Sequence, residues 1–135
     1  MQTFLPYYYF KLSLQCLDYR RLGKQRVEGR QLVNALEGTS KGWRNHPAAI
    51  MWENNIDALK LYTNTCIEEW VSRGYNNNMP LYTVPESPAM PYWLGDEAFH
   101  ASHRSNLLRK NPVYYSVFNW TEPHNLPYVW PSSRG

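Results

Sequence analysis

The sequence predicts a mostly α-helical protein, and three observations lead to this fold class. Apolar residues recur at three- and four-residue steps in three long segments, which is the period of an amphipathic helix. A glycine or an Asn-Pro pair follows each segment, where helices commonly end. The remaining segments are rich in proline and aromatic residues and lack this period. We therefore expect a single compact domain over residues 1–135, with three main helices and extended, aromatic-rich N- and C-terminal arms.

The first segment, MQTFLPYYYF, is predicted to be extended because Pro6 lacks a backbone donor and the tyrosine run favours extended backbone. A helix is predicted from about residue 19 to 37, and Gly38 lies just past its C-cap. The core face of this helix is formed by Leu22, Gly29, Leu32, Val33 and Leu36. A neighbouring arc carries the polar residues Arg20, Arg21, Lys24, Glu28 and Gln31.

A second helix is predicted to begin at Pro47, with Asn45 or His46 near its N-cap, and to run to Gly74. Its regularly spaced positions are Ala48, Trp52, Ile56, Leu59, Thr63, Cys66, Ile67 and Trp70. Residues 76–92 contain four prolines and no period, which predicts a loop packed over the surface. A third helix is predicted from about Asp96, its N-cap, to Lys110, and an extended tail follows.

Charge and hydropathy limit the class of protein. Lys and Arg number 14 against 11 Asp and Glu, a net charge of +3, so the clustering of the cations carries more information than their sum. A mean hydropathy of −0.63 and the lack of a long apolar run exclude a transmembrane span. The N-terminus has no signal-peptide pattern. Cys16 and Cys66 lie in helical patterns and are expected to be reduced and packed, as in a cytosolic protein.

The stretch LDYRRLGKQRVEGRQL concentrates basic side chains around Glu28. Arg20, Arg21 and Lys24, with Arg44 in the next loop, predict a phosphate-binding surface, and a solvated helix face is the alternative. Lys24 followed by Glu28 is the less favourable order for an i,i+4 pair, so helix stability does not explain the acid. A carboxylate also weakens anion binding, which indicates that Glu28 has another role.

The stretch HASHRSNLLRKNP places His100 and His103 one turn apart, followed by Arg104. The two histidines could chelate a metal, but no third ligand stands at a suitable spacing. An edge facing phosphate and a structural role both remain open. The aromatic residues of the arms could stack on bases, although covering a small core is the simpler role for Tyr7, Tyr8, Tyr9, Trp120, Tyr128 and Trp130. The sequence contains no nucleophile elbow, P-loop or dinucleotide-binding turn.

Several motifs together resemble the pyrimidine dimer DNA glycosylase family over nearly the whole chain. LDYRRLGKQRVE is similar to the family's helix segment, and the essential glutamate falls on Glu28. WENNIDALKLYTNTCIEEWVSRGY resembles its central helix, and ASHRSNLLRKNPVYY resembles its final helix, where a basic DNA-contacting residue falls on His103. Four shorter motifs are even more similar to a phage and bacterial branch with the same activity. They are RLGKQRVE, GWRNHP, WLGDEAFHASHRSNLLRK and LPYVWP.

The resemblance implies a glycosylase that removes a damaged pyrimidine, such as a UV dimer, and an AP lyase that then nicks the strand. In this family the nucleophile is the α-amine of the chain, which attacks the sugar C1′, forms a Schiff base and allows β-elimination. An α-amine has a reference pKa of about 7.7–8.0, so a usable fraction is neutral near pH 7. The glutamate stabilises the developing cationic sugar and transfers protons.

Carried over to this chain, the resemblance implies a catalytic pair formed by Met1 and Glu28. The expected DNA-binding residues are Gln2, Arg20, Arg21, Lys24, Arg44, His46, His103, Arg104 and Lys110. The partner is double-stranded DNA. We expect no cofactor, no metal, no membrane association, a monomer, and a location in the cytoplasm of a bacterium or a phage-infected cell.

The chain departs from the family pattern at two places. Gln2 is too large for the usual removal of the initiator, so Met1 is expected to be retained and to supply the amine. Val27 stands where the family has an arginine, and the paired basic positions become Arg20 and Arg21. These changes leave open which lesion the protein excises.

Three other functions and one other nucleophile are open. The protein could excise a modified base on the same fold, or bind DNA without catalysis, although the retained Glu28 argues against simple binding. It could also be a metal-dependent nuclease that uses His100 and His103. Lys24, one turn from Glu28, is the alternative source of the amine.

Overall fold

A computed structural model describes residues 1–132, and it confirms the mostly α fold class. The described residues form no strand. The elements are α1 (Phe10–Gln15), α2 (Tyr19–Leu36), α3 (Pro47–Ile50), α4 (Ile56–Ser72), α5 (Glu97–Lys110), α6 (Pro112–Tyr115) and a 3₁₀ turn (Ser116–Phe118). None of these helices is both long and apolar enough to cross a membrane.

Helices α2 and α4 form the central pair of the fold. Leu22, Leu32 and Val33 of α2 are fully buried in the shared core. Gly29 lets the two helices approach closely, because a Cβ atom at this position would lie 2.5 Å from the Thr63 Oγ1 of α4. Helix α2 follows the predicted bounds, and Gly38 has a φ of 82°, which suits the residue past a C-cap.

The prediction of one unbroken helix from Pro47 to Gly74 is wrong. Helix α3 ends at Ile50, and a turn leads to Asn55, whose φ of −140° and ψ of 51° lie outside the helical region. Asparagine competes for backbone hydrogen bonds and favours such helix boundaries. The turn places Trp52 in the core, and its Nε1 donates to the Thr3 Oγ1 at 3.0 Å. The apolar spacing continues through the turn, so the period did not reveal it.

Helices α1 and α6 were not predicted. Ser13 of α1 bonds both backbone groups of Tyr7 at 3.0 Å, so the short helix turns back toward the first segment. Asn111 ends α5 as predicted, but it also caps α6, since its Oδ1 accepts from the Tyr114 N at 3.2 Å. The predicted N-cap of α5 is confirmed, because the Asp96 side chain accepts from the Ala98 N.

Two extended arms complete the fold, as predicted. The N-terminal arm, residues 1–6, is almost wholly buried and has no neighbouring strand within the described chain. The C-terminal arm, residues 119–132, lies at the surface of the core with its aromatic rings partly buried. Trp120 stacks on Tyr115, with ring centroids 5.7 Å apart, which favours the core-covering role for this ring. Cys16 and Cys66 are buried free thiols, as expected.

Candidate active site

The N-terminal arm is held by side chains that bond its backbone. Gln25 of α2 donates from Nε2 to the Gln2 carbonyl oxygen at 2.7 Å and accepts at Oε1 from the Phe4 N at 2.7 Å. The Tyr62 hydroxyl of α4 shares its one proton between the Phe4 carbonyl oxygen and the Gln25 Oε1, each at 2.8 Å. These bonds satisfy buried backbone groups that a neighbouring strand would otherwise bond.

Helix α5 holds the other end of the same arm. The Leu5 N–H donates to the Nδ1 of His103 at 2.9 Å, and the Nδ1 of His100 lies 2.7 Å from the Leu5 carbonyl oxygen. The Nε2 of His100 accepts from the Gly95 N at 3.0 Å, so its Nδ1 carries the proton and donates to Leu5. Arg104 donates to the Pro6 carbonyl oxygen at 2.7 Å. We call Gln25, Tyr62, His100, His103 and Arg104 the arm clamp.

The arm clamp gives the HASHR residues, 100–104, a structural role. Burial lowers the pKa of His103 to about 3, with a smaller contribution from His100, so the ring stays a neutral acceptor. Both Nδ1 atoms of the histidine pair are already bonded to Leu5. No group of three or more possible metal ligands occurs among residues 1–132.

The structure does not support direct DNA contacts by His103 and Arg104. His103 is fully buried, and Arg104 is 8 % exposed. Arg104 forms ion pairs with Glu97 and with Glu122, the latter at 3.0 Å. Both residues bond the N-terminal arm instead of presenting their side chains to solvent.

A cleft of about 370 Å³ opens where the N-terminal arm meets α2. Its lining brings together seven residues that the sequence placed at the site, namely Met1, Gln2, Arg20, Arg21, Lys24, Glu28 and Lys110. Phe4, Gln25 and Tyr128 complete its walls. We call it the Met1 cleft.

Glu28 is half-buried in this cleft beside two amines. Burial raises the pKa of Glu28, while the α-amine of Met1 and the Lys24 ammonium lower it in part. The Gln25 Nε2 lies 3.4 Å from the Glu28 Oε1 and donates to it. The carboxylate is therefore partly desolvated, and it shares the cleft with the Met1 amine, which the family resemblance implies as the nucleophile.

The basic side chains crowd together at the rim of the cleft. Partial desolvation lowers the pKa of Lys110, and Arg21, Arg109 and Lys24 lower it further because like charges repel. Arg21 bonds the Asp18 carboxylate at 3.1 Å. Lys24 and Lys110 are exposed. Such a cluster of cations is suited to bind a polyanion.

A second cleft of about 530 Å³ adjoins the first and shares Met1, Arg20, Lys24 and Glu28 with it. Its other walls are largely apolar and aromatic, formed by Tyr19, Gly23, Val27, Gln31, Trp43 and Trp70. We call it the aromatic cleft. Aromatic walls of this kind are surfaces on which nucleic-acid bases stack.

His46 and Arg44 lie beside this region in the loop before α3. His46 caps α3, since its Nδ1 accepts from the Ala48 N at 3.0 Å, and burial and the Met1 amine lower its pKa. Its ring packs edge-on against Trp43, with centroids 5.5 Å apart. Arg44 is exposed and lines neither of the two clefts.

Sequence reasoning missed Gln25, the residue that joins the arm to Glu28. A signal was present, because Gln25 falls between Leu22 and Gly29 on the apolar face of α2, where a polar residue needs a buried partner. The sequence predicts a core-covering or base-stacking role for Tyr128. It predicts neither the place of Tyr128 in the lining of the cleft nor the contact of Tyr62 with the arm.

Comparison with known proteins bears on the identity of this site. No curated protein and no solved structure matches the chain significantly. A model of the pyrimidine dimer DNA glycosylase family matches residues 1–83. The match covers more than half of the 135 residues and includes Met1, Gln25 and Glu28. This chain therefore belongs to the pyrimidine dimer DNA glycosylase family.

Proposed function

We propose that this protein is a bifunctional DNA glycosylase and AP lyase that uses the α-amine of Met1 as its nucleophile. Membership of the family makes it a DNA glycosylase and makes DNA its substrate. The lyase activity and the Schiff base are our proposal. The observation that supports them is the shared lining of the Met1 cleft, where an α-amine, the Glu28 carboxylate and a group of cations meet.

The proposed reaction begins when the Met1 nitrogen bonds to C1′ of the damaged nucleotide. The glycosidic bond breaks, and the base leaves with the electron pair and takes up a proton. The C1′–O4′ bond then opens, O4′ gains a proton, and a protonated Schiff base forms between Met1 and C1′. Loss of a proton from C2′ drives β-elimination, in which the C3′–O bond breaks and the 3′ phosphate leaves with the electron pair. Water then hydrolyses the Schiff base and frees the amine.

Glu28 has two roles in this scheme. As a carboxylate, it stabilises the positive charge that develops on the sugar while the glycosidic bond breaks. It also takes up protons that the amine and C2′ lose. The raised pKa of Glu28 supports the second role, because the carboxylate of a weaker acid is a stronger base.

The cations of the cleft hold the damaged strand. Four of them, Arg20, Arg21, Lys24 and Lys110, line the Met1 cleft. Their positive charges support a role in binding the phosphates that flank the damaged nucleotide. The aromatic cleft next to the amine offers a wall for a base. We propose a damaged pyrimidine, such as a UV dimer, as the excised base.

Borohydride trapping tests the nucleophile. Duplexes that carry a dimer, an abasic site or a modified base are incubated with the protein, and reduction converts a Schiff base to a stable adduct. We expect trapping that persists in excess chelator, with the label on the α-nitrogen of Met1 in peptide maps. A metal-dependent nuclease would instead lose activity in chelator.

Two variants sharpen this test. One residue added before Met1 moves the amine by about 3.3–3.6 Å, which is outside bonding reach, so trapping should be lost. One residue added at the C-terminus is the matched control. Lys24→Arg keeps the charge and removes the alternative amine, and we expect it to trap normally. A label on Lys24 with an unmodified Met1 would exclude our nucleophile.

A further inference from the structure

We infer that Gln25 is a positioning residue that fixes the Met1 amine relative to the Glu28 carboxylate, an inference that rests on the proposed function. Gln25 and Glu28 lie one turn apart on α2, and Gln25 is 2 % exposed. Its amide is bonded to the arm on one side and to Glu28 on the other. It thus connects the segment that carries the nucleophile to the residue that transfers protons.

The four bonds of this amide define its orientation. Oε1 accepts from the Phe4 N at 2.7 Å and from the Tyr62 hydroxyl at 2.8 Å. Nε2 donates to the Gln2 carbonyl oxygen at 2.7 Å and to the Glu28 Oε1 at 3.4 Å. A reversed amide would bring donor against donor at Phe4 and acceptor against acceptor at Gln2. The site therefore requires one side chain that both donates and accepts.

These bonds lie close enough to Met1 for Gln25 to control the position of its amine. Gln2 is the residue next to Met1, so the bond to its carbonyl oxygen is the last clamp contact before the nucleophile. The side chain of Gln2 does little to fix the arm. Its Oε1 accepts from the adjacent Thr3 N, and its buried Nε2 has no partner among residues 1–132. His100, His103 and Arg104 act further along, at Leu5 and Pro6. A misplacement of about 1 Å at a reacting group can lower a rate about 10²-fold.

The experiment compares Gln25→Glu with Asn64→Asp. Asn64 is also a buried amide, and it bonds both backbone groups of Tyr82 at 2.8 and 2.9 Å, but it lines neither cleft. Both changes are isosteric and replace an NH₂ by an oxygen. The readouts are single-turnover trapping rate, DNA affinity, thermal stability and the pH dependence of trapping.

For Gln25→Glu we expect a single-turnover trapping rate about 10²-fold lower at pH 7, with DNA affinity only slightly lowered by the carboxylate added to the cationic cleft. The added carboxyl faces Glu28, alongside the Met1 amine and Lys24, so the acidic limb of the pH profile should move to higher pH. Asn64→Asp should lower stability and leave the rate and the pH limb of the folded protein unchanged. Gln25→Met, which keeps the volume without charge, is the second variant if Gln25→Glu does not fold.

The outcomes separate this inference from the proposed function. If the unaltered protein forms no adduct at Met1, the proposed function fails. If the unaltered protein forms the adduct, and both Gln25 variants trap at its rate with the same pH limb, Gln25 supports only the fold and our inference is wrong.

Discussion

Helices α2 and α5 are both rich in polar residues, but those of α2 line open clefts and those of α5 are buried. On α2, the charged residues Arg20, Arg21, Lys24 and Glu28 line open clefts. On α5, the polar residues are buried between the helix and the two arms: His100, Ser102, His103, Arg104, Ser105 and Asn106. The first helix presents charge to a ligand, and the second supplies hydrogen bonds to the protein itself.

Two polar faces of α5 bond the two arms, and Arg104 contacts both arms because it also pairs with Glu122. His100, His103 and Arg104, at the i, i+3, i+4 spacing, bond the N-terminal arm. The same spacing recurs in a second set, which bonds the C-terminal arm. In that set the Ser105 Oγ accepts from the Leu126 N at 3.0 Å, the Asn106 Nδ2 donates to the Leu126 carbonyl oxygen at 3.0 Å, and the Ser102 Oγ accepts from the Val129 N at 3.2 Å.

The polar composition of α5 follows from the backbone of the extended arms beside it. Buried backbone N–H and C=O groups need partners, and an arm without a neighbouring strand must find them on side chains. A helix that provides them is polar on its buried side, so it lacks the apolar stripe of an ordinary core helix. The roles of the two helices can therefore be distinguished by removing one arginine from each.

Arg104→Met should cost the most stability. It removes the partner of the half-buried Glu122 and the donor to Pro6, and loss of one member of a buried ion pair costs about 3–5 kcal/mol. Arg20→Met, on the exposed face of α2, should change stability by less than about 1 kcal/mol and weaken DNA binding instead. Urea denaturation and binding assays measure both. Equal stability losses in the two variants would remove the distinction between these helices.

Glu28→Gln should have the largest effect on catalysis. It keeps the shape of the side chain and removes its charge, and electrostatic contributions of this kind are worth about 2.7–4 kcal/mol, or 10²–10³-fold in rate. DNA affinity should be kept or slightly improved, because a carboxylate leaves a cationic cleft. Glu68→Gln on the exposed face of α4 is the matched control. Near-normal base excision by Glu28→Gln would end its catalytic assignment.

Acid should weaken the clamp through His103. Its pKa is about 3 in the fold and 6.5 ordinarily, so below pH 6.5 the unfolded chain binds a proton that the folded chain does not. Stability is thus present above pH 6.5 and falls by up to about 1.4 kcal/mol per pH unit as the pH drops toward 3. His100, whose pKa burial also lowers, acts in the same direction.

Urea denaturation at pH 7 and pH 4.5 measures this effect. His103→Asn places an oxygen near the position of Nδ1 and cannot titrate, so it should show a weaker loss of stability in acid. His124→Asn removes an exposed histidine and is the control. The same acid dependence in His103→Asn and the unaltered protein would contradict the prediction.

The smallest effect concerns the rim of the Met1 cleft. Lys24→Ala and Lys110→Ala should each reduce the slope of log affinity against log salt by about 0.9, because each ammonium displaces about one counterion from DNA. Lys11→Ala, at an exposed position of α1 outside both clefts, should leave the slope unchanged. Slopes that do not differ among the three variants would favour the alternative that the cations of α2 form only a solvated helix face.

The charged half of the site could be predicted from the sequence, and the clamp could not. The period of α2 placed Arg20, Lys24 and Glu28 on one arc, and that arc does line the cleft. The spacing of His100 and His103 also put them on one face of a helix, but spacing does not reveal what that face contacts. Their partner is the irregular backbone of Leu5, which no periodic pattern marks.

The clamp joins parts of the chain that are far apart in sequence. Leu5 bonds His103 and Pro6 bonds Arg104, and each pair is separated by 98 positions. At a synthesis rate of about 5–20 residues per second, α5 follows the N-terminal arm out of the ribosome by roughly 5–20 s. Throughout that interval the first residues lack their bonds to α5, and they are accessible to the enzymes that trim or acylate new N-termini. Trimming or acylation of the Met1 amine would therefore be easiest before α5 closes on the arm.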